Sequence, residues 1–360
     1  MTPLKWKKTV LDDDALHTEN NHIAILDGLR QECLVAMSQI DTLSNHKWHF
    51  FRKLLNENDF ESREFAVNRA FYKLWEILKL HPDIIPPGNN NLNSLHLAEA
   101  PGSFVQVVKK MFPYADTVAI SKPPSSYAEV VRKGRSIPVF NPQVLKLQGC
   151  QFYYIDLMNP DKVQWLLGHE GNRFNLITAD GGFDEEEQYD AKEVLHYNLI
   201  LGEIVAILLL QNIGGGCVIK IFETFTETTI SMLWLLCQHY ESFEFVKPDT
   251  SRPTNAEKYV ICKGFKGCNR FDKVTLCNLM HVNITKDYVL DMPIPLHFLD
   301  KVVDMSTKFA QQQIDTINKV IGFVHDNSHG RYGSIYIDKR QYNELKKKSF
   351  DEWKERFDFN

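Results

Sequence analysis

A chain of 360 residues, 44% hydrophobic and 24% charged, has the composition of a folded globular protein and not of a disordered or fibrous one. Its formal net charge of −5 excludes a protein that coats long nucleic acid, because such binding rests on Lys and Arg displacing counterions from many phosphates. A basic lining of one narrow cleft stays compatible with that balance.

The sequence contains no uninterrupted run of 18 apolar residues, so no membrane span is expected. Met1-Thr-Pro-Leu-Lys-Trp-Lys-Lys8 carries charge with no apolar stretch behind it, so no secretory leader is expected either. Seven dispersed cysteines without C-x-x-C spacing point to free thiols in a reducing, cytoplasmic setting and give no metal site.

In chain order, Ile23, Leu26, Leu29, Cys33 and Leu34 have helical spacing and lead to an aromatic patch at Trp48, Phe50 and Phe51, a helical prelude over residues 1–60. A helix is predicted over Ser62–Leu80, ended by His81-Pro82 and Pro86-Pro87-Gly88, with Asn89–Asn93 as a surface loop. From there to about Phe265, short apolar runs alternate with helical stretches. This predicts an α/β fold with a mostly parallel, Rossmann-like sheet.

Strands are expected near Leu95–Ala98, Thr117–Ile120, Phe152–Ile155, Leu176–Ala179, Cys217–Ile221, Phe243–Val246 and Tyr259–Lys263. Helices are expected over Glu193–Asn212 and Thr226–Tyr240. The last strand follows its predecessor with no room for a helix, so that pair should be antiparallel. Residues 61–266 thus form the expected catalytic domain and 267–360 a helical extension, with apolar spacing from Leu299 to Ile321. The basic, aromatic Lys346–Phe357 stretch reads as a solvated helix face anchored by its aromatics rather than as a dedicated RNA arm.

Several residues in this frame invite chemistry, and each also has an ordinary reading. Glu99-Ala100-Pro101-Gly102-Ser103-Phe104 joins a strand to a helix at the sheet edge where open α/β folds place ligands; Gly102 would let backbone approach one, and Ser103 can cap the helix. Substituting Val for Gly102 is accordingly expected to weaken ligand binding before it alters the fold. Asp156, after a strand, is equally a helix cap. Asp180-Gly181-Gly182 is equally a turn, Lys220 in Val218-Ile-Lys-Ile-Phe222 equally a lysine snorkelling from a buried strand, and Lys73 with Glu76 equally an exposed helix face. Gly214-Gly-Gly216 reads as the turn into the Lys220 strand, since no Gly-Lys-Ser/Thr follows. Ser251-Arg252-Pro253 sits on a loop before Glu257, where Arg252 could contact a phosphate or base.

Taken together, Arg69-Ala-Phe-Tyr-Lys73, Glu99-Ala-Pro-Gly-Ser-Phe104, Thr178-Ala-Asp180-Gly-Gly, Gly216-Cys-Val-Ile-Lys220 and Ser251-Arg-Pro-Thr-Asn-Ala-Glu257 occur in the order of, and resemble, the FtsJ-type RNA ribose 2'-O-methyltransferases. The wording is similar to cap enzymes of large DNA viruses and eukaryotes. The resemblance covers roughly Arg69–Phe265. It implies a methyltransferase sheet with its last strand antiparallel, and S-adenosyl-L-methionine as cofactor. It also implies Lys73, Asp180, Lys220 and Glu257 as catalytic residues, and Glu99 near the donor's amino group, within a donor set of residues 99–104, Ser121, Asp156 and Asp180. Asp156 stands where the family accepts from the adenine amino group. Ser121, with Lys122, replaces the acidic residue that often holds the ribose.

The partner so implied is a short single-stranded RNA, its 5' end capped, read by Ser251 and Arg252, with the capping or transcription machinery nearby in the cytoplasm, virion or viral factory. Ribosomal or transfer RNA, and an inactive methyltransferase-like subunit, are the alternatives. A ribose hydroxyl holds its proton tightly, so Lys220 as base must become neutral, its pKa falling from about 10.4 through burial or nearby positive charge. Lys73 supplies such a charge, Asp180 opposes it while orienting Lys220, and Glu257 positions Lys73.

Overall fold

A computed structural model describes residues 13–58, 66–87, 92–123, 139–182, 192–268, 270–281, 290, 292–327 and 339–359. Its centre is a seven-stranded sheet: β1 (Asn93–Leu97), β2 (Asp116–Ser121), β3 (Cys150–Tyr154), β4 (Phe174–Ala179), β5 (Gln211–Ile221), β6 (Tyr240–Val246) and β7 (Lys258–Phe265), in the order 3-2-1-4-5-7-6. β1 to β5 run parallel, and β7 enters antiparallel between β5 and β6. That is the Rossmann-like methyltransferase sheet expected from the βα alternation and the missing last helix. β4 is buried along its whole length, as a helix-covered parallel sheet requires, with Asn175 and Thr178 the polar residues among its apolar ones.

The helices are α1 (Asp13–Ile40), α2 (Asn45–Leu55), α3 (Ala70–Leu80), α4 (Ser103–Met111), α5 (Pro160–Glu170), α6 (Lys192–Leu210), α7 (Glu227–Cys237), α8 (Arg270–Leu279), α9 (Leu296–Asn327) and α10 (Lys339–Arg356). α6 is long and apolar enough to cross a membrane by length and composition, yet 78% of its apolar window is buried beneath the sheet. α1 lies along α9: Leu26, Leu29, Cys33 and Met37 share a core with Ile314, Ile317, Val320 and Ile321. On the other face α3 and α4 pack with Trp353, Phe357 and Phe359 of the chain end.

Two boundaries differ from expectation. α3 starts at Ala70 rather than Ser62, because Asn68 Oδ1 takes the Ala70 N–H and opens the helix there; residues 62–65, like Asn89–Asn91, lie outside the described ones. The glycine run is not a turn before the Lys220 strand. β5 begins at Gln211 directly after α6, and Gly214, with φ of +78°, bulges out of the ladder where the register shifts opposite Phe174 and Leu176. Gly216 is obligatory, since a Cβ there would sit 2.3 Å from the Ile84 carbonyl.

Candidate active site

The carboxyl ends of β1, β2, β4 and β5 open on one edge of the sheet, and antiparallel β7 brings its amino end to the same edge. Lys73 on α3 and Glu257 just before β7 form an ion pair of 2.6 Å, and Lys220 on β5 meets Asp180 beyond β4 at 3.1 Å to Oδ1 and 2.7 Å to the main-chain carbonyl. All four side chains are nearly buried, between 11% and 17% exposed, so these pairs are held in place rather than solvated. In the antiparallel ladder Lys220 faces Tyr259, whose hydroxyl donates to the same Asp180 oxygen at 3.0 Å. Ser251 donates its hydroxyl to Glu257 Oε1 at 3.0 Å.

The two pairs form one electrostatic unit. Burial alone would raise the Glu257 pKa, but Lys73, Lys220 and Lys247 together hold it well below the usual carboxylate range. The expectation of a lowered Lys220 pKa is overturned. Burial does push it down, but the Asp180 and Glu257 charges, the Asp180 hydrogen bond and Glu203 outweigh burial and raise it, so the resting ammonium is favoured.

On the donor side, Gly102 has φ of +110°, the left-handed region that suits glycine. A Cβ there would lie 2.7 Å from Val144 Cγ1, so a branched residue would strain the fold itself, contrary to the expectation that binding fails first. Ser103 does not cap α4: its hydroxyl donates to Asn68 Oδ1 at 2.7 Å. The capping is done by Glu99, whose Oε1 accepts from the Phe104 and Val105 N–H groups at 2.7 and 3.0 Å. Glu99 therefore turns one oxygen inward, and burial drives its pKa well above normal. Phe104 is buried beside Tyr259, and Ala100 and Pro101 form the turn.

Asp156 is not the cap of α5, a task taken by Asn159; it accepts the Met158 N–H at 3.0 Å and pairs with Lys122 at 3.3 Å. Ser121 closes β2 beside it, its carbonyl accepting the Ile155 N–H. Ser251 is 2% exposed and its hydroxyl donates to Glu257, so it holds that carboxylate. Arg252 is half-buried in a turn closed by Asn255 N–H to the Arg252 carbonyl. Close to it is Arg69, which donates to the Thr250 carbonyl at 2.9 Å and has its pKa pushed down to about 10, by burial first and then by Arg252.

Three contributors had escaped sequence reasoning. Tyr259 was signalled by its place one residue into the strand that begins just after Glu257. Glu203 was signalled as a lone carboxylate in the apolar stretch of α6; its Oε1 accepts the Gly181 N–H at 3.0 Å while Oε2 has no partner. Burial, with Asp180, raises its pKa to about 8 against the pull of Lys220. Lys247 had no signal: its ammonium donates to the Asn255 and Glu257 carbonyls at 2.6 and 2.8 Å, bracing the Glu257 loop, and burial pushes its pKa down to about 7.

The family model described as FtsJ-like methyltransferase matches residues 66–265. Among curated proteins, the chain is 31% identical to cap-specific mRNA (nucleoside-2'-O-)-methyltransferase 1 of Dictyostelium discoideum, over 51% of this chain and 24% of that protein. It is 27% identical to the cap-specific mRNA (nucleoside-2'-O-)-methyltransferase of Autographa californica nuclear polyhedrosis virus, over 59% of this chain and 76% of that one. It is 24% identical to an inactive cap-specific methyltransferase 1B of Caenorhabditis briggsae, over 89% of this chain and 42% of that protein. The chain thus spans less than half the length of the two cellular relatives.

Proposed function

Because this chain belongs to the FtsJ-like methyltransferase family, we propose that it is an S-adenosylmethionine-dependent RNA ribose 2'-O-methyltransferase acting on the cap-proximal nucleotide of messenger RNA. We propose with it the organisation into residues 1–60, 61–266 and 267–360. The observation that carries this reading is the convergence of Lys73–Glu257 and Lys220–Asp180 at one sheet edge. Overall likeness does not decide between enzyme and inactive subunit, since an inactive relative matches over 89% of the chain. An assembled, buried set of four charged groups favours the enzyme.

The residues at this edge fit the donor. Asp156 is bound outward only through a partly exposed ion pair, of the kind worth about 0–1 kcal/mol, and so can exchange Lys122 for a ligand donor group. Gly102 keeps the first turn free of a side chain, and the carboxylate of Asp180 suits a cationic ligand. Bound there, S-adenosylmethionine supplies a methyl carbon open to attack by oxygen.

The chain's own contribution is to hold the acceptor and its proton. Asp180 fixes the Lys220 amine by two contacts, and Tyr259 fixes Asp180. Lys220 receives the proton that the ribose oxygen loses, which requires that it first give up its resting proton. Lys73, oriented by Glu257, keeps a second positive charge beside that oxygen. Arg252 and Arg69, side by side at the loop, supply the positive charge that suits an RNA phosphate.

Labelled methyl transfer onto matched capped and uncapped oligonucleotides tests this reading. A capped 5' end should raise the rate. Faster methylation of a structured ribosomal RNA fragment than of the capped oligonucleotide would overturn the cap assignment.

A further inference from the structure

Glu76 belongs to the exposed-looking polar positions of α3, yet it is 1% exposed. It lies one helical turn from Lys73, so both side chains leave the same side of α3. Its carboxyl accepts the Thr250 N–H at 3.1 Å and the Trp353 indole N–H at 2.7 Å. The first contact reaches the loop that bears Glu257, and the second reaches α10, outside the family-matched region. The neighbouring Trp75 indole repeats the connection by donating to the Phe357 carbonyl at 3.0 Å.

The contacts close a circuit. Trp353 holds Glu76, Glu76 and Arg69 hold the two main-chain polar groups of Thr250, and the next residue, Ser251, donates to Glu257, which pairs with Lys73 back on α3. Thr250 and Ser251 are each 2% exposed, so water does not substitute for these partners. Around them Trp353 packs edge-on to Tyr72, with ring centroids 5.1 Å apart, directly before Lys73.

We infer that Glu76 is a positioning residue for the Lys73–Glu257 pair, and that the C-terminal helix, through the Trp353 indole N–H, is a working part of the active site rather than an appended stabilising element. The inference rests on the methyltransferase reading for its kinetic consequence only. Burial pushes the Glu76 pKa up to about 7, in keeping with a carboxyl that depends on donors delivered by its neighbours and not on solvent.

The test uses the full chain with Trp353→Phe, which removes the N–H and keeps an aromatic ring, alongside Glu76→Gln and Glu76→Leu. The expected result for Trp353→Phe is a fall of about tenfold in kcat, the upper weight of one ordinary buried hydrogen bond, with S-adenosylmethionine affinity within about twofold of wild type. Glu76→Gln, which keeps an accepting oxygen, should retain much more activity than Glu76→Leu. Trp353→Phe should add little to Glu76→Leu, because both break one circuit.

The Lys73 13Cε resonance, which needs no substrate, should move in Trp353→Phe and in Glu76→Leu while thermal melting confirms a folded chain. An unmoved resonance, or an unchanged kcat in folded Trp353→Phe, overturns the inference. A wild-type protein that transfers no methyl group while the resonance still moves overturns the proposed function and leaves this inference standing.

Discussion

Glu203 offers a test in which the protein's own electrostatics set the magnitude. Its carboxyl is fully buried on α6, accepts the Gly181 N–H, and has a pKa raised from 4.5 to about 8. The folded protein therefore binds a proton there more tightly than the unfolded chain does. The stability linked to that proton is complete below pH 4.5 and is lost as pH rises through about 8. At 1.36 kcal/mol per unit, a shift of this size corresponds to an upper bound of about 5 kcal/mol lost across the window.

Glu203→Gln keeps an oxygen to accept the Gly181 N–H and cannot ionise. Urea unfolding of wild type and variant should therefore give a stability difference that moves in the variant's favour from pH 5 to pH 9, by about 2–5 kcal/mol. Glu203→Leu should show the same pH trend but be less stable than Glu203→Gln at every pH by about 1–3 kcal/mol, because Gly181 is left without an acceptor. A wild-type minus Glu203→Gln difference that stays constant over pH would refute the assignment.

At saturating donor and RNA, the transfer rate should rise between about pH 7 and 9, up to about tenfold per unit, because the raised Lys220 pKa makes the neutral amine scarce. A flat stopped-flow or single-turnover profile would show that Lys220 acts as a fixed ammonium. Gly102→Ala should lower stability in thermal or denaturant unfolding by about 1–3 kcal/mol, because it combines a φ of +110° with a Cβ 2.7 Å from Val144; an unaffected melt would mean that the turn relaxes freely. RNA binding should lose affinity with salt at a log–log slope of only about 0.7 per phosphate contact over a few contacts, measured by fluorescence anisotropy, whereas a steep slope would require a basic surface that a net charge of −5 does not provide.

The sheet was legible in the sequence because its strands are dense apolar runs separated by helices, and the antiparallel last strand because too few residues separate Val246 from Lys258 for a crossover. The four charged site residues were legible one by one from their surroundings. Their meeting depends on β5 lying between β4 and β7, which no local pattern states, so the pairing came only from the family resemblance. The helix cap expected of Ser103 was misjudged for a related reason, and the hydrogen-bond partners of Ser251 and Asp156 were not legible either. A hydroxyl or carboxylate next to a turn has several partners within reach, and only the fold selects Asn68, Glu257 or the Met158 N–H. Glu76 looked exposed because the helix that buries it arrives from 277 residues further along the chain.

The most direct measurement of the central claim is single-turnover transfer of a labelled methyl group from S-adenosylmethionine to a capped oligonucleotide, followed by alkaline hydrolysis, by wild type and by Lys220→Ala. The account predicts label in an alkali-resistant fragment that carries the cap, the methylated nucleotide and its 3' neighbour for wild type, because a methylated 2'-oxygen cannot assist cleavage. For Lys220→Ala it predicts a loss of about 10²–10⁴-fold with donor affinity retained. Label released in mononucleotides, or more than about a tenth of the activity surviving in Lys220→Ala, would contradict it.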